Sequence, residues 1–245
     1  MKCTYPLFSK GKMSRDCIKY IAMAAMFCNH FATVFLKGQT LLYEIFIDIG
    51  YFTAITMCYF LVEGFAYTHS RKKYGQRLFV FALISQIPFQ MVTGYLALNM
   101  MFTLFTCFLI LIVLEYVWNP QKRYLLIFLL FMATLFMDWG ILAPAFVVMF
   151  AKCKEDRQKL MKVFGICVTI FFVVNFMTKI EFYPHTADVF VYSAMSCIGM
   201  IASGIMISTY YQREKNNENR KCSKWFFYVF YPAHLLLLGV LRMTI

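Results

Sequence analysis

Residues 102–114 read FTLFTCFLILIVL, thirteen positions without a charge, and similar runs recur along the whole chain. Apolar stretches near the ~20 residues that cross a bilayer restrict the backbone severely. In hydrocarbon every N–H and C=O must be satisfied internally, so a spanning segment is a helix or part of a closed barrel. Barrel strands alternate apolar and polar positions over roughly ten residues, and these runs do not alternate. The composition agrees: 61% of the chain is hydrophobic and 15% charged, against about a quarter charged in soluble domains. The expectation is an all-α polytopic membrane protein.

The apolar segments fall near 17–36, 41–67, 78–96, 99–117, 124–137, 140–151, 160–178, 188–210 and 225–241. They predict a single bundle of about nine transmembrane helices, one integral-membrane domain over residues 1–245. The fifth and sixth are short, and LFMDWGILAP between them reads as the tip of a helical hairpin. The first run follows a polar, basic stretch and is long enough to span, which fits an uncleaved first helix better than a signal peptide.

Cations sit at alternate connections: the N-terminus (Lys2, Lys10, Lys12, Arg15), HSRKKYGQR, NPQKRY, KCKEDRQK and QREKNNENRK. The intervening KGQT, ALN, DWG and TKIEFYPHTAD carry few. By the positive-inside rule the N-terminus is cytoplasmic and the C-terminus outside. The net charge of +12 is explained by these loops and implies no nucleic-acid partner. Nine cysteines without a CxxC pair argue against a disulfide framework or a zinc site, and no metal is expected.

Ionisable groups inside spans are costly and mark interior or functional positions. The candidates are His30, Glu44, Asp48, Glu63, Glu115, Asp138 and His234. Lys19 and His30 are eleven residues apart, about 20° from three full turns, so they share a face roughly 16 Å apart along the axis. A cation at the cytoplasmic end with an imidazole deep in the bundle suits a long phosphate-bearing cosubstrate. It equally suits a snorkelling lysine and a histidine bonded to a neighbouring helix. Arg71, Lys72 and Lys73 either cradle phosphates or serve as a stop signal, with Glu63 pairing Arg71 or a neighbouring lysine. Glu44 and Asp48, one turn apart, could orient His30, meet an acceptor, or rest at the interface. His234 follows Pro232, which loosens its helix. Intramembrane His, Glu and Asp would also serve a proton relay in a small transporter, although no inverted repeat is visible.

Five stretches in order resemble the TraX family, linked to conjugal transfer and F-pilin acetylation: IKYIAMAAMFCNH, LVEGFAYTHSRKKYGQRLFVFALISQIPFQ, LNMMFTLF, DWGILAP and KWFFYVFYPAHLLLL. That family resembles the wider transmembrane acyltransferases. The resemblance implies a bacterial inner-membrane acyltransferase that uses cytoplasmic acetyl-CoA, with a peptide, glycan or lipid as acyl acceptor. It implies His30 as general base, supported by Asn29, Glu63 and His234, and Lys19, His69, Arg71, Lys72 and Tyr74 at the CoA phosphates. Asn99, Thr103, Tyr231, Asp48 and Asp138 are expected at substrate or oxyanion. The family usually has Asp where this chain has Asn29, so either another acid, Glu63 or Asp48, supplies the charge beside His30 or the activity is altered. A non-enzymatic transporter or pilus assembly factor is the alternative.

Overall fold

The computed structural model describes residues 13–36, 40–94, 96–153, 156–211 and 220–244, with 220–224 as backbone only. Lys2, Lys10, Lys12 and most of KGQT and QREKNNENRK lie outside the described residues. Among the described residues there are nine α-helices and no strand, only two isolated β-bridges. They are α1 Arg15–Phe35, α2 Leu41–Tyr67, α3 Arg71–Thr93, α4 Met100–Tyr116, α5 Pro120–Thr134, α6 Leu142–Lys152, α7 Arg157–Lys179, α8 Thr186–Ile205 and α9 Arg220–Met243. A π-helical turn, Met206–Tyr210, extends α8.

The helix starts follow from side-chain caps. Ser14, Ser70, Asn119 and Asp156 accept the backbone N–H groups of Cys17, Lys73, Lys122 and Gln158, which have no partner inside the helix. These caps correct three boundaries. RKKYGQR, expected as loop, forms the first two turns of α3. α5 begins at Pro120 and α7 at Arg157, because a capped amide and a proline at the first position favour helix even where the side chains are charged.

Five helices are long and apolar enough to cross a membrane: α1, α2, α7, α8 with its π turn, and α9 from Trp225. With 15 and 11 residues, α5 and α6 rise only about 22 and 16 Å. The bridge between Leu98 and Met137 nevertheless sets their connecting turn level with the α3–α4 connection.

The chain divides into two compact units. One, the α1/α7/α8 unit, comprises Thr4–Thr56 and Glu155–Phe227. The first half of α2 is held there on two sides by polar bonds. Towards α1, Asn29 Nδ2 donates to the Ile47 carbonyl at 3.0 Å and Thr53 Oγ1 to that of Ala22 at 2.6 Å. Towards α8, Ser196 Oγ donates to Asp48 Oδ1 at 2.7 Å, and Thr56 and Ser203 hydroxyls meet at 2.7 Å. Between those contacts a Cβ on Gly199 would lie 2.6 Å from the Asp48 carbonyl oxygen. Lipid supplies no hydrophobic drive between helices, so small residues and interhelical hydrogen bonds take that role.

The other unit comprises Met57–Lys154 and Tyr228–Ile245. Its hub is Asn99. Oδ1 accepts from the Met101 and Phe102 amides, capping α4, and Nδ2 donates to the Ala82 carbonyl at 2.8 Å and Gln86 Oε1 at 2.9 Å. Thr103 donates to the Asp138 carbonyl, and the Asp138 amide to that of Leu98 at 2.7 Å. The Arg242 guanidinium near the end of α9 donates to the carbonyl of Val92, in the last turn of α3, at 2.6 Å, where a cation also complements the helix dipole.

Gly199→Ala is expected to lower stability by about 1–3 kcal/mol, because the added methyl meets backbone that cannot rotate away. Thermal unfolding of the purified protein in detergent reads this; Gly165→Ala, where an added Cβ meets nothing within 4 Å, is the control.

Candidate functional site

His30 lies buried five residues before the end of α1. Its neighbour Asn29 carries the bond to Ile47, which sets this turn of α1 level with the Asp48 turn of α2. The Asn29 amide fits over Gly50, where a Cβ would collide with it. Asn29 is thus an interhelical clamp. It donates through an N–H that a carboxylate lacks. Lys19, three turns nearer the start of α1, places its ammonium 4.7 Å from the centre of the Phe227 ring, a cation–π contact.

Asp48 belongs to a buried polar cluster that joins α2, α7 and α8 within the α1/α7/α8 unit. Lys179 Nζ donates to Glu44 Oε2 at 2.7 Å, to Ser196 Oγ at 3.2 Å and to the Tyr192 carbonyl at 3.5 Å. Tyr183 donates its hydroxyl to Glu44 Oε1 at 2.9 Å. Burial raises the pKa of this phenol, in the α7–α8 connection, and the Glu44 carboxylate raises it further, so it stays a donor. Ser196 passes its own proton to Asp48 Oδ1 at 2.7 Å. Asn175, one turn before Lys179, is buried on α7. Of these residues, sequence reasoning had singled out only Glu44 and Asp48. Lys179 falls in TKIEFYPHTAD, a connection poor in cations, although four residues separate it from Asn175, the spacing that puts two polar groups on one face. Ser193, Ser196, Gly199 and Ser203 form a small-residue stripe that was likewise legible as a packing face.

In the other unit Arg71 is heavily engaged. It forms an ion pair with Glu115 at 2.8 Å, donates to the Tyr116 hydroxyl, and lies 4.4 Å over the Phe65 ring. Its acidic partner is therefore at the end of α4. Glu63 is buried in α2 beside Gly64, against which Tyr74 of α3 lies, and a Cβ there would be 2.9 Å from the Tyr74 hydroxyl. His69 and Lys72 are exposed around the α2–α3 turn, as is Lys73, and among the described residues neither lysine forms an ion pair. Three cations in a first turn that holds no acid oppose the helix dipole, an arrangement that an anion relieves.

His234 and Tyr231 are buried on α9. His234 Nδ1 lies 2.8 Å from the Phe230 carbonyl and its ring stacks on Phe230 at 4.8 Å. Asn99 and Thr103 spend their donors on the bonds described above, so either would have to break one to reach an oxyanion. Asp138, in the α5–α6 turn, has its carboxyl pushed up to about 6 by burial, with the Trp139 backbone N–H pulling the other way.

Buried polar residues tied across apolar helices define a multi-pass helical membrane protein. Within that class the chain belongs to the TraX family: the family described as TraX protein matches residues 14–242. It is also 28% identical, over 246 residues, to the probable fimbrial assembly protein FimC, serogroup H1, of Dichelobacter nodosus, covering 92% of this chain and 94% of that one. No solved structure matches.

Two substitutions test the site's framework. Lys179→Met leaves Glu44 buried and uncompensated and should cost about 3–5 kcal/mol, whereas Lys179→Met with Glu44→Gln should recover much of that loss. Asn29→Asp should destabilise by about 1–3 kcal/mol, since an acceptor then faces the Ile47 carbonyl. Thermal unfolding in detergent checks both.

Proposed function

We propose that the chain is an inner-membrane acyltransferase that moves an acetyl or similar group from cytoplasmic acyl-CoA to an amine or hydroxyl on a peptide, glycan or lipid. The observation that carries this reading is His30, an imidazole buried deep in α1 and level with the acidic turn of α2, in a chain of the TraX family. His30 removes the proton of the acceptor as its nitrogen or oxygen attacks the thioester carbonyl. The carbon–sulfur bond then breaks, the acyl group stays on the acceptor, and the CoA sulfur leaves with the proton.

The CoA phosphates are assigned to the exposed His69 and Lys72, with Lys73 beside them, at the start of α3. Arg71, already paired with Glu115, shapes that turn rather than offering a fresh charge. In the topology we favour, the N-terminus is cytoplasmic and nine helices cross. The α5–α6 turn, level with the α3–α4 connection, lets the short pair reach the outer side where the bilayer thins.

A second reading, a pilus assembly factor without catalysis, draws on the relative named as a fimbrial assembly protein. His30→Gln separates the two. Under the enzymatic reading it abolishes thiol release from acetyl-CoA, and cells carrying it lose an acyl mass on surface peptides or glycans, while thermal unfolding is unchanged. An assembly factor would show no thiol release even in the wild type. Lys72→Glu with Lys73→Glu should raise the KM for acetyl-CoA by roughly tenfold or more with kcat little changed; an unchanged KM overturns the phosphate assignment.

A further inference from the structure

The polar cluster of α2, α7 and α8 does not balance, in protons or in charge. An ammonium has three donors, and Lys179 uses all of them on Glu44, Ser196 and the Tyr192 carbonyl. The Ser196 proton goes to Asp48 Oδ1 and the Tyr183 proton to Glu44 Oε1. Asp48 Oδ2, Asn175 Oδ1 and Ser193 Oγ remain, each buried and without a hydrogen-bond partner. Their residues are 5%, 8% and 0% exposed. Two carboxylates face one ammonium, so one negative charge is also unmatched. Burying an unpaired carboxylate is costly, and each neutral orphan adds to that cost.

The three oxygens come from neighbouring turns of the unit. Asp48 is one turn from Glu44 and three residues before Tyr51 on α2, Asn175 one turn before Lys179 on α7, and Ser193 three residues before Ser196 on α8. The Glu44–Lys179 and Asp48–Ser196 bonds tie those turns together. One carboxylate, one amide and one hydroxyl oxygen make a hard donor set of the kind that binds alkali and alkaline-earth cations. A single unmatched charge selects a monovalent ion, since a divalent one would leave an excess positive charge beside Lys179. One turn beyond Ser196 the α8 backbone approaches α2 so closely that Gly199 admits no side chain, and helices packed this tightly favour a small ion.

We propose that Asp48, Asn175 and Ser193 form a binding site for a sodium-sized monovalent cation, which completes the cluster and locks α2 to α7 and α8. This does not depend on His30 acting as a base. It also differs from a proton relay, in which the missing charge is a proton on Asp48.

The test uses the full-length protein purified in detergent, with choline chloride replaced stepwise by NaCl at constant ionic strength and pH. Tm should rise and saturate with sodium, and potassium should need roughly tenfold more for the same effect. Asp48→Asn removes the charge at nearly constant shape and should abolish the sodium response. Ser193→Ala and Asn175→Ala, which serve if Asp48→Asn fails to fold, should each raise the half-saturating concentration roughly tenfold or more. Retention of radioactive sodium by the wild type and not by these variants is the direct readout. Identical curves in sodium, potassium and choline overturn the proposal. So does a stability that follows pH alone without sodium dependence, or a sodium response that survives in all the variants.

Discussion

Lys179 ends a long apolar helix, yet its ammonium turns inward to Glu44 at 2.7 Å with both side chains largely buried. Removing such a pair from water is expensive, and only close geometry with further hydrogen bonds offsets it. Tyr183, Ser196 and the Tyr192 carbonyl provide those bonds. The first half of α2, the end of α7 and the first half of α8 are thereby committed to one register. The same register sets Gly199 against the α2 backbone and, through the Asn29–Ile47 bond on the opposite side of α2, the depth of His30.

The second unit follows the same logic with neutral groups. Asn99 spends both amide protons and its oxygen on α3 and on the start of α4, and Thr103 reaches the turn between α5 and α6. The bonds to the first amides of α4 and to the Asp138 carbonyl satisfy backbone groups that lie outside regular helix pairing, a requirement far stricter in lipid than in water. Residues that look like catalytic donors on a helical wheel are here consumed by architecture. The exposed cations at the start of α3 are not consumed in this way, which is why they, and not Arg71, are assigned to the phosphates.

Much of the helix layout is legible without coordinates. The predicted segments 41–67 and 160–178 correspond to α2 at Leu41–Tyr67 and α7 at Arg157–Lys179, because hydrophobic length is a local property. Boundaries slipped where a cap outweighed charge, as at Ser70 and Asp156. The candidate site was only half legible. His30, Glu44 and Asp48 stood out as ionisable groups in apolar runs, but Lys179 and Ser196 did not. Their importance lies in pairing with residues 135 and 148 positions away, and no window along the chain contains both partners. Asn29 was read through the absence of a carboxylate, whereas its significance is the proton it donates.

By itself, the sequence determined that this chain is a bundle of apolar helices with cations at alternate connections, since lipid leaves a backbone few solutions and charge is counted segment by segment. The five ordered motifs, and with them the TraX family, are also a property of the sequence. Only the tertiary structure decided which polar residues are spent on each other. It gave Arg71 to Glu115, Asn29 to Ile47 and Lys179 to Glu44, and it left one oxygen each of Asp48, Asn175 and Ser193 buried without a hydrogen-bond partner. Hydrogen-bond donors are finite, and which acceptor receives each one depends on the distance between helices.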